Sequence, residues 1–194
     1  MGKKFVLRDY REYSLRDHFL IALPGLRDSI FEDSITYICD HSDQGAMGIV
    51  LNQPLNIHLD EVFDQLALDY HPAAGEYPVL AGGPVNAQQG FVLHRNEGKW
   101  DSSLHITPDI CLTASRDIVS ALAENKGPAG AQFALGYAGW SPGQLEEELT
   151  ENTWLAVPAE NSIIFDVPVN ERRKVLEDEL GINFKLIANT IGHA

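Results

Sequence analysis

Two residues that can carry thiol chemistry lie close together in one apolar run. Cys39 and His41 are two positions apart in a segment that reads as a β-strand, so their side chains are expected on one face. A thiol beside an imidazole could form a reactive pair or half of a metal site. A zinc site needs three or four ligands, and Cys111 with another histidine would have to converge from elsewhere. Cys39 and His41 are therefore the candidate catalytic residues, core packing of the cysteine is the alternative, and no metal site is predicted.

A second motif, Gly139-Trp140-Ser141-Pro142-Gly143, matches the G-x-S-x-G nucleophile elbow of α/β-hydrolases. An elbow uses the backbone N–H of the residue after the serine to stabilise an oxyanion, and Pro142 has no N–H. The same residues make a good helix start, with Ser141 as N-cap, Pro142 in the first turn and Gln144 completing a capping box. The motif therefore favours a helix that starts at Ser141 over an esterase.

A glycine pair and two aromatic side chains suggest a ligand site. Gly82 and Gly83 could present backbone N–H groups to an anion, and Tyr137 and Trp140 could form apolar walls beside them. These four residues are the candidate ligand-binding residues. Tight strand packing is the alternative for the glycines, and core packing for the aromatic residues. Phosphate-loop and dinucleotide fingerprints do not occur in the sequence, and no cofactor is predicted.

Short β-type runs that end at Gly, Pro, Asn or Asp dominate the chain. They are expected near His18–Leu23, Ser34–His41, Ala46–Asn52, Tyr77–Ala81, Gly90–Arg95, Leu104–Thr113, Gln132–Ala138, Thr153–Pro158 and Ser162–Asp166. Helical spacing predicts about four helices: Leu59–Leu68, Arg116–Asn125, one from Ser141, and one near Asn170 that Gly181 ends, with a last short turn over Asn183–Asn189. Consecutive β runs without a helical crossover must pair antiparallel or lie in different sheets. The pattern predicts an α+β fold with mainly antiparallel sheets.

Length and composition favour one globular domain. The chain has 194 residues, of which 44% are hydrophobic, and it contains no internal repeat and no linker long enough to separate two domains. We expect residues 1–14 to form a flexible N-terminal arm and residues 15–194 to form a single domain.

The charge balance bears on partners and location. The chain has 14 Lys and Arg against 28 Asp and Glu, which gives a formal net charge of −14. Such a chain repels a phosphate backbone, so direct nucleic-acid binding is not expected. Two cysteines in apolar runs suit a reducing compartment, and neither a signal peptide nor a run of ~20 apolar residues is apparent. We expect a cytoplasmic protein without a membrane span.

Several strings, in order, resemble the bacterial YqgE/AlgH family. They are FLIALP (19–24), SITYICDHSDQGAMGIVLNQP (34–54), GGPV (82–85), GFVLH (90–94), ALGYAGWSPGQLEEEL (134–149), NTWL (152–155) and GHA (192–194). The resemblance covers the chain from about Leu15 to its last residue. It implies an α+β fold with bent, partly barrel-like sheets and a regulatory role, since the family has been named as a transcriptional regulator linked to alginate production. It implies no active site.

The leading functional hypothesis is a non-enzymatic regulatory or interaction protein that acts through a protein partner or a small ligand. One alternative is a thiol-based enzyme or redox sensor that uses Cys39. Another is a small-ligand-binding domain at Gly82, Gly83 and the Tyr137–Trp140 stretch. The sequence leaves the partner and the oligomeric state open.

The charge generates a first prediction. Purified protein should leave the mobility of duplex DNA unchanged in a gel-shift experiment at low salt, where phosphate contacts are strongest. A basic DNA-binding domain on the same gel is the positive control. A shift that weakens steeply as salt is added would contradict the prediction and indicate direct phosphate contact.

Overall fold

The computed structural model describes residues 13–27 and 29–184. Over these residues the chain forms ten β-strands and six α-helices. The strands are β1 (His18–Ala22), β2 (Ile35–Ser42), β3 (Gly45–Val50), β4 (Pro54–His58), β5 (Pro78–Ala81), β6 (Val85–Arg95), β7 (Ser103–His105), β8 (Ile110–Thr113), β9 (Gln132–Trp140) and β10 (Trp154–Pro158). The helices are α1 (Leu59–Gln65), α2 (Pro72–Gly75), α3 (Arg116–Ala123), α4 (Gln144–Thr150), α5 (Asn161–Phe165) and α6 (Arg172–Leu180), and two 3-10 turns cover Pro24–Leu26 and Val169–Glu171.

The strands belong to one sheet that is curled into a half-barrel. Eight strands follow the order β10-β1-β2-β3-β9-β6-β8-β7, and β5 joins β4 to β9. The pairing of β5 with β9 is parallel, and the other pairings between described strands are antiparallel. The prediction of an α+β fold with mainly antiparallel, bent sheets is confirmed.

Both faces of the sheet are buried, because the strands carry apolar residues on both sides. In β1, Phe19 and Ile21 belong to a first hydrophobic cluster, whereas Leu20 and Ala22 belong to another. The first cluster includes residues of α5 and α6. On the opposite face, a second cluster contains residues of α1 and α3, and a third contains residues of α4. The half-barrel is thus covered by different helices on its two faces.

The four predicted helices are confirmed, and two shorter ones, α2 and α5, were not predicted. The start of α4 differs from the prediction, because Gly143 has a left-handed φ of 78° and the helix begins only at Gln144. The Gln144 side chain still accepts the Ser141 N–H at 3.0 Å, which is half of a capping box. The Ser141 hydroxyl donates to the same Gln144 oxygen at 3.0 Å instead of capping a backbone N–H. Ser141 as N-cap is therefore wrong.

Two strand predictions need correction, and one strand of the structure was not predicted. Ser162–Asp166 is wrong, because α5 occupies it; a short buried apolar run does not distinguish a helix from a strand by periodicity. Leu104–Thr113 is two strands, β7 and β8, with Pro108 in the turn between them. Strand β4 was not predicted and begins with a proline. Residues 185–189 of the expected last turn lie outside the described residues, and so do residues 1–12 of the expected N-terminal arm. The assignment of one domain stays a prediction.

Arg172 ties the first turn of α6 to the sheet. Its side chain is only 1% exposed, yet it faces carbonyl oxygens instead of a carboxylate. The guanidinium donates to the Leu51 carbonyl at 2.6 Å, to the Ile164 carbonyl at 2.8 Å and to Gln132 Oε1 at 2.7 Å. Burial lowers the pKa of Arg172 to about 10, so the group is still charged at neutral pH. One cation therefore satisfies acceptors from three parts of the fold.

This contact yields a stability prediction. Replacing Arg172 by Met keeps an apolar stem but leaves buried oxygens without donors, so the free energy of unfolding should fall by about 3 kcal/mol. Urea unfolding followed by circular dichroism measures the change. The control is Lys174→Met on the exposed face of the same helix, which should change stability by less than about 0.5 kcal/mol. Equal losses in the two variants would contradict the anchoring role of Arg172.

Candidate functional site

Cys39 lies fully buried in β2, within the first hydrophobic cluster. Its thiol donates to the Tyr37 carbonyl at 3.6 Å. Burial, and secondly the charge of Asp40, raise the pKa of Cys39 above its ordinary value. A protonated, buried thiol is a poor nucleophile, so the geometry fits core packing better than catalysis.

His41 does not share a face with Cys39, and that prediction is wrong. A register shift between Ile38 and Asp40 places an extra residue in β2, which reverses the alternation of side chains. His41 therefore turns toward α4, where its Nε2 lies 2.9 Å from Glu146 Oε1, and its side chain is 5% exposed. Its Nδ1 accepts the Leu15 N–H at 2.8 Å, so the ring proton lies on Nε2 and points at Glu146. The ring has two fixed partners, and Cys39 is neither of them.

The structure forms a different thiol–imidazole pair, which sequence reasoning missed. Cys111 Sγ lies 3.2 Å from His105 Nδ1, because β7 and β8 form a hairpin that sets these residues opposite each other. The two residues are equally distant from Pro108 in the turn. A prediction of a hairpin with its turn at Pro108 would have placed His105 opposite Cys111. The prediction of a single strand over Leu104–Thr113 does not.

On its other side, Cys111 is paired with the buried His94 of β6. His94 Nδ1 lies 2.7 Å from the Arg95 carbonyl, which can only accept, so Nε2 accepts from the Thr113 hydroxyl at 2.8 Å. Burial lowers the pKa of His94 and raises the pKa of Cys111. The Cys111 thiol is therefore protonated at neutral pH, and the imidazole of His94, its neighbour across the strand pair, is neutral. Among the described residues, no group of three or more His, Cys, Asp or Glu is arranged to hold a metal ion.

Gly82 and Gly83 lie against the backbone of β9. A Cβ atom on Gly83 would come within 2.2 Å of the Tyr137 carbonyl oxygen, and one on Gly82 within 2.3 Å of the Gly136 oxygen. The glycines and Tyr137 are thus neighbours, as predicted. Trp140 lies on the opposite face of β9, because Tyr137 packs on the first cluster and Trp140 belongs to the third. The four residues do not surround one cleft, and their role in ligand binding stays a prediction.

Trp140 belongs to a polar contact that fixes α4 to the sheet. Glu148 Oε2 accepts from the indole N–H of Trp140 at 2.9 Å and from that of Trp154 at 2.8 Å. The ring of Phe31 lies 6.5 Å from Trp140 and 5.6 Å from Trp154, between ring centroids. Glu146 and Glu148 of α4 thus both have buried partners, whereas Glu147 between them is exposed.

The most exposed sheet edge lies at β4. This strand pairs with β5 alone among the described strands, and four of its five residues are exposed. Leu55 within it is 37% exposed, and Ile30 and Tyr77 beside it are 61% and 50% exposed. Gln53 donates to the Ile30 carbonyl at one end of the strand, and the Tyr77 carbonyl accepts from Leu59 at the other. We call β4 together with Ile30 and Tyr77 the β4 surface.

Two other described strands, β7 and β10, also lie at sheet edges. Strand β7 has three residues, and β10 has two buried residues and one exposed residue, Pro158. Three of the four large hydrophobic side chains exposed in the described part of the chain belong to the β4 surface. It is therefore the apolar surface with the clearest access to a partner. Within the described ranges, no helix has the length and apolar character that a membrane span needs.

Comparisons with known proteins place these features in context. A family model described as AlgH-like matches residues 19–185. A UPF0301 protein of Saccharophagus degradans is 60% identical over 181 residues, covering 93% of this chain and 89% of the relative. A UPF0301 protein of Hahella chejuensis is 48% identical over 181 residues, covering 93% and 97%.

Two solved structures are similar over most of the chain. The solution structure of the AlgH protein from Pseudomonas aeruginosa matches with a TM-score of 0.77 and 38% identity, covering 100% of both chains. A crystal structure of a Corynebacterium diphtheriae protein matches with a TM-score of 0.62 and 19% identity, covering 92% of this chain and 90% of that one. The second likeness is one of fold alone.

The environments of the two thiols predict slow alkylation. In folded protein at neutral pH, iodoacetamide should label Cys39 and Cys111 at least about a hundredfold more slowly than a free thiol, because both are buried and protonated. Peptide mass spectrometry gives the rate for each site, and unfolding in urea should make both rates ordinary. Fast labelling of either cysteine in the folded protein would contradict this assignment and favour thiol chemistry.

Proposed function

The chain belongs to the AlgH-like family, and from that premise we propose that it is a non-enzymatic regulatory protein that acts by binding a protein partner. The observation that carries the proposal is the β4 surface, where exposed apolar side chains accompany a strand that pairs on one side only with the part of the chain that the structure describes. Soluble domains usually protect such edges, and a large apolar side chain left beside one is a common feature of binding surfaces.

The net charge of the chain bears on how it would act, and its free cysteines bear on where it would act. A net charge of −14 opposes contact with a nucleic-acid backbone, so any effect on transcription is indirect and passes through the partner. Both cysteines are free, which suits a reducing compartment, and we place the protein in the cytoplasm.

A thiol-based activity is the second candidate, and the contact with His105 favours Cys111 over Cys39 for it. Within residues 13–27 and 29–184, Cys111 is the cysteine with an imidazole in contact, at 3.2 Å from His105 Nδ1, and His105 is exposed. An imidazole in this position could take the thiol proton when an electrophile arrives. Burial of Cys111 opposes this step, and for that reason partner binding is the leading proposal.

The partner-binding proposal predicts the effect of a double substitution. Leu55→Ser with Tyr77→Ser removes apolar area from the β4 surface without adding charge, so capture of the partner from lysate should fall by roughly tenfold or more. Cross-linked partners are quantified by mass spectrometry with wild-type and variant baits at equal concentration. Tyr13→Ser, which removes a side chain that is 59% exposed and lies outside the β4 surface, is the matched control and should leave capture unchanged.

Folding of each bait is checked by its urea midpoint, because a destabilised variant would lose partners for another reason. If the double variant folds normally and captures every partner at the wild-type level, binding through the β4 surface is excluded.

A further inference from the structure

We propose that the β4 surface takes an extended, positively charged segment of a partner protein, and that one lysine or arginine side chain of that segment enters a cavity at the end of β4. The inference rests on the proposed function, since it assigns the chemistry of the partner at the same surface. Three features support it: the incomplete backbone pairing of β4, the negative charge near its end, and the cavity where it meets α1.

The backbone of β4 is poorly paired for a strand. In the register against β5, only Pro54 and His58 have partners, and the pairing shifts between them. Leu55, Asn56 and Ile57 therefore lie outside the register with β5, and no other described strand borders them. An extended segment placed along this edge can offer N–H and C=O groups to these residues.

The charge at the His58 end of β4 is of one sign. The sequence contains no lysine or arginine between Arg27 and Arg95, a stretch that includes β4, β5, α1 and α2. Asp60 and Glu61 lie in the first turn of α1, after Leu59, and Glu76 precedes Tyr77. None of these three carboxylates forms an ion pair with a described residue.

Described cations reach this region from two other elements. Arg173 of α6 pairs with Asp33 at 3.3 Å, at the Ile30 end of the β4 surface, and at the opposite end lies Arg116, which begins α3. Its guanidinium donates to the Leu66 carbonyl at 2.8 Å, just beyond the last residue of α1. It is therefore held at the end of α1 away from β4, and the acidic groups next to β4 keep their charge for a partner. A basic segment is complementary to them.

A cavity of about 350 Å³ opens where β4 meets α1. It is lined by His58, Asp60, Tyr70, Pro72, Gly75 and Glu76. Two carboxylates and a phenol ring suit a long cationic side chain, whose stem packs on the ring while its head meets the carboxylates. Because His58 is the last residue of β4, a segment that follows the strand would bring its side chains to this opening.

A second copy of the chain is a poorer occupant. Each copy carries a net charge of −14, and the residues that follow and flank β4 are acidic, so two copies would bring like charges together. A basic segment from a different protein meets no such repulsion.

The test uses the full-length protein and two synthetic peptides. The probe is a short peptide of alternating valine and lysine with blocked ends, and its control has glutamate in place of lysine. Binding is measured by fluorescence anisotropy, and amide chemical shifts of 15N-labelled protein locate the contact. The lysine peptide should bind, with the largest shifts at Leu55–Ile57 and Asp60, and its affinity should fall as salt is added.

Two double variants test whether the carboxylates next to β4, and not the overall charge of the protein, determine the affinity for the lysine peptide. Asp60→Asn with Glu76→Gln should weaken binding of the lysine peptide by roughly tenfold. The control, Glu151→Gln with Asp178→Asn, removes two exposed carboxylates from outside the β4 region and should leave the affinity within about twofold.

Each contrary result has its own meaning. Equal binding of the glutamate peptide at β4 would overturn the charge inference while the proposed function survives. Shifts confined to another surface, no binding of either peptide, or a dimer whose contact lies at β4 would overturn the inference outright. If, in addition, partner capture does not depend on Leu55 and Tyr77, the proposed function falls as well.

Discussion

The structure depends on the close approach of the Gly82–Gly83 segment to β9. A Cβ on Gly83 would meet the backbone of Tyr137, and one on Gly136 would come within 2.2 Å of the Gly83 oxygen. This contact lets β9 pair with β3, β5 and β6 at once, so that the strands beyond it belong to one curled sheet. Side chains at these positions would force the strands apart, which is why glycines that resemble an anion-binding turn serve packing here.

Buried polar groups attach the helices to this sheet. Arg172 fixes the start of α6 by donating to acceptors from several elements. Glu148 fixes α4 by accepting from two indoles, and Glu146 adds a contact with His41. In each case a group that would be costly to bury alone is satisfied by partners from another part of the chain. His41 and Trp140, two of the candidate site residues, form hydrogen bonds with these groups of α4.

The surface to which we assign the proposed binding function is therefore not the one with the candidate catalytic residues. Cys39 is buried, His41 is held by Leu15 and Glu146, and Trp140 is held by Glu148. The β4 surface exposes apolar groups beside carboxylates, and this chemistry suits recognition of another chain.

The sequence alone determined the class of the fold and most of its elements. Runs such as 34–41 and 46–52 lie too close together for a crossover, so their antiparallel pairing followed from chain geometry. The helices α1, α3 and α6 followed from apolar spacing, and the end of α6 from Gly181, which has a left-handed φ of 64°. These are local properties, because periodicity and turn chemistry depend on neighbours in the chain.

Only the tertiary structure decided which side chains meet. One extra residue in β2 separates His41 from Cys39, and one hairpin turn joins Cys111 to His105. The short helix α5 exists because its apolar run packs into the first cluster, although the run alone reads equally well as a strand. Bulges and the burial of single groups depend on contacts between residues far apart in sequence, which local pattern does not contain. The Cys111–His105 pairing is the exception, because Pro108 marks the turn between the two strands.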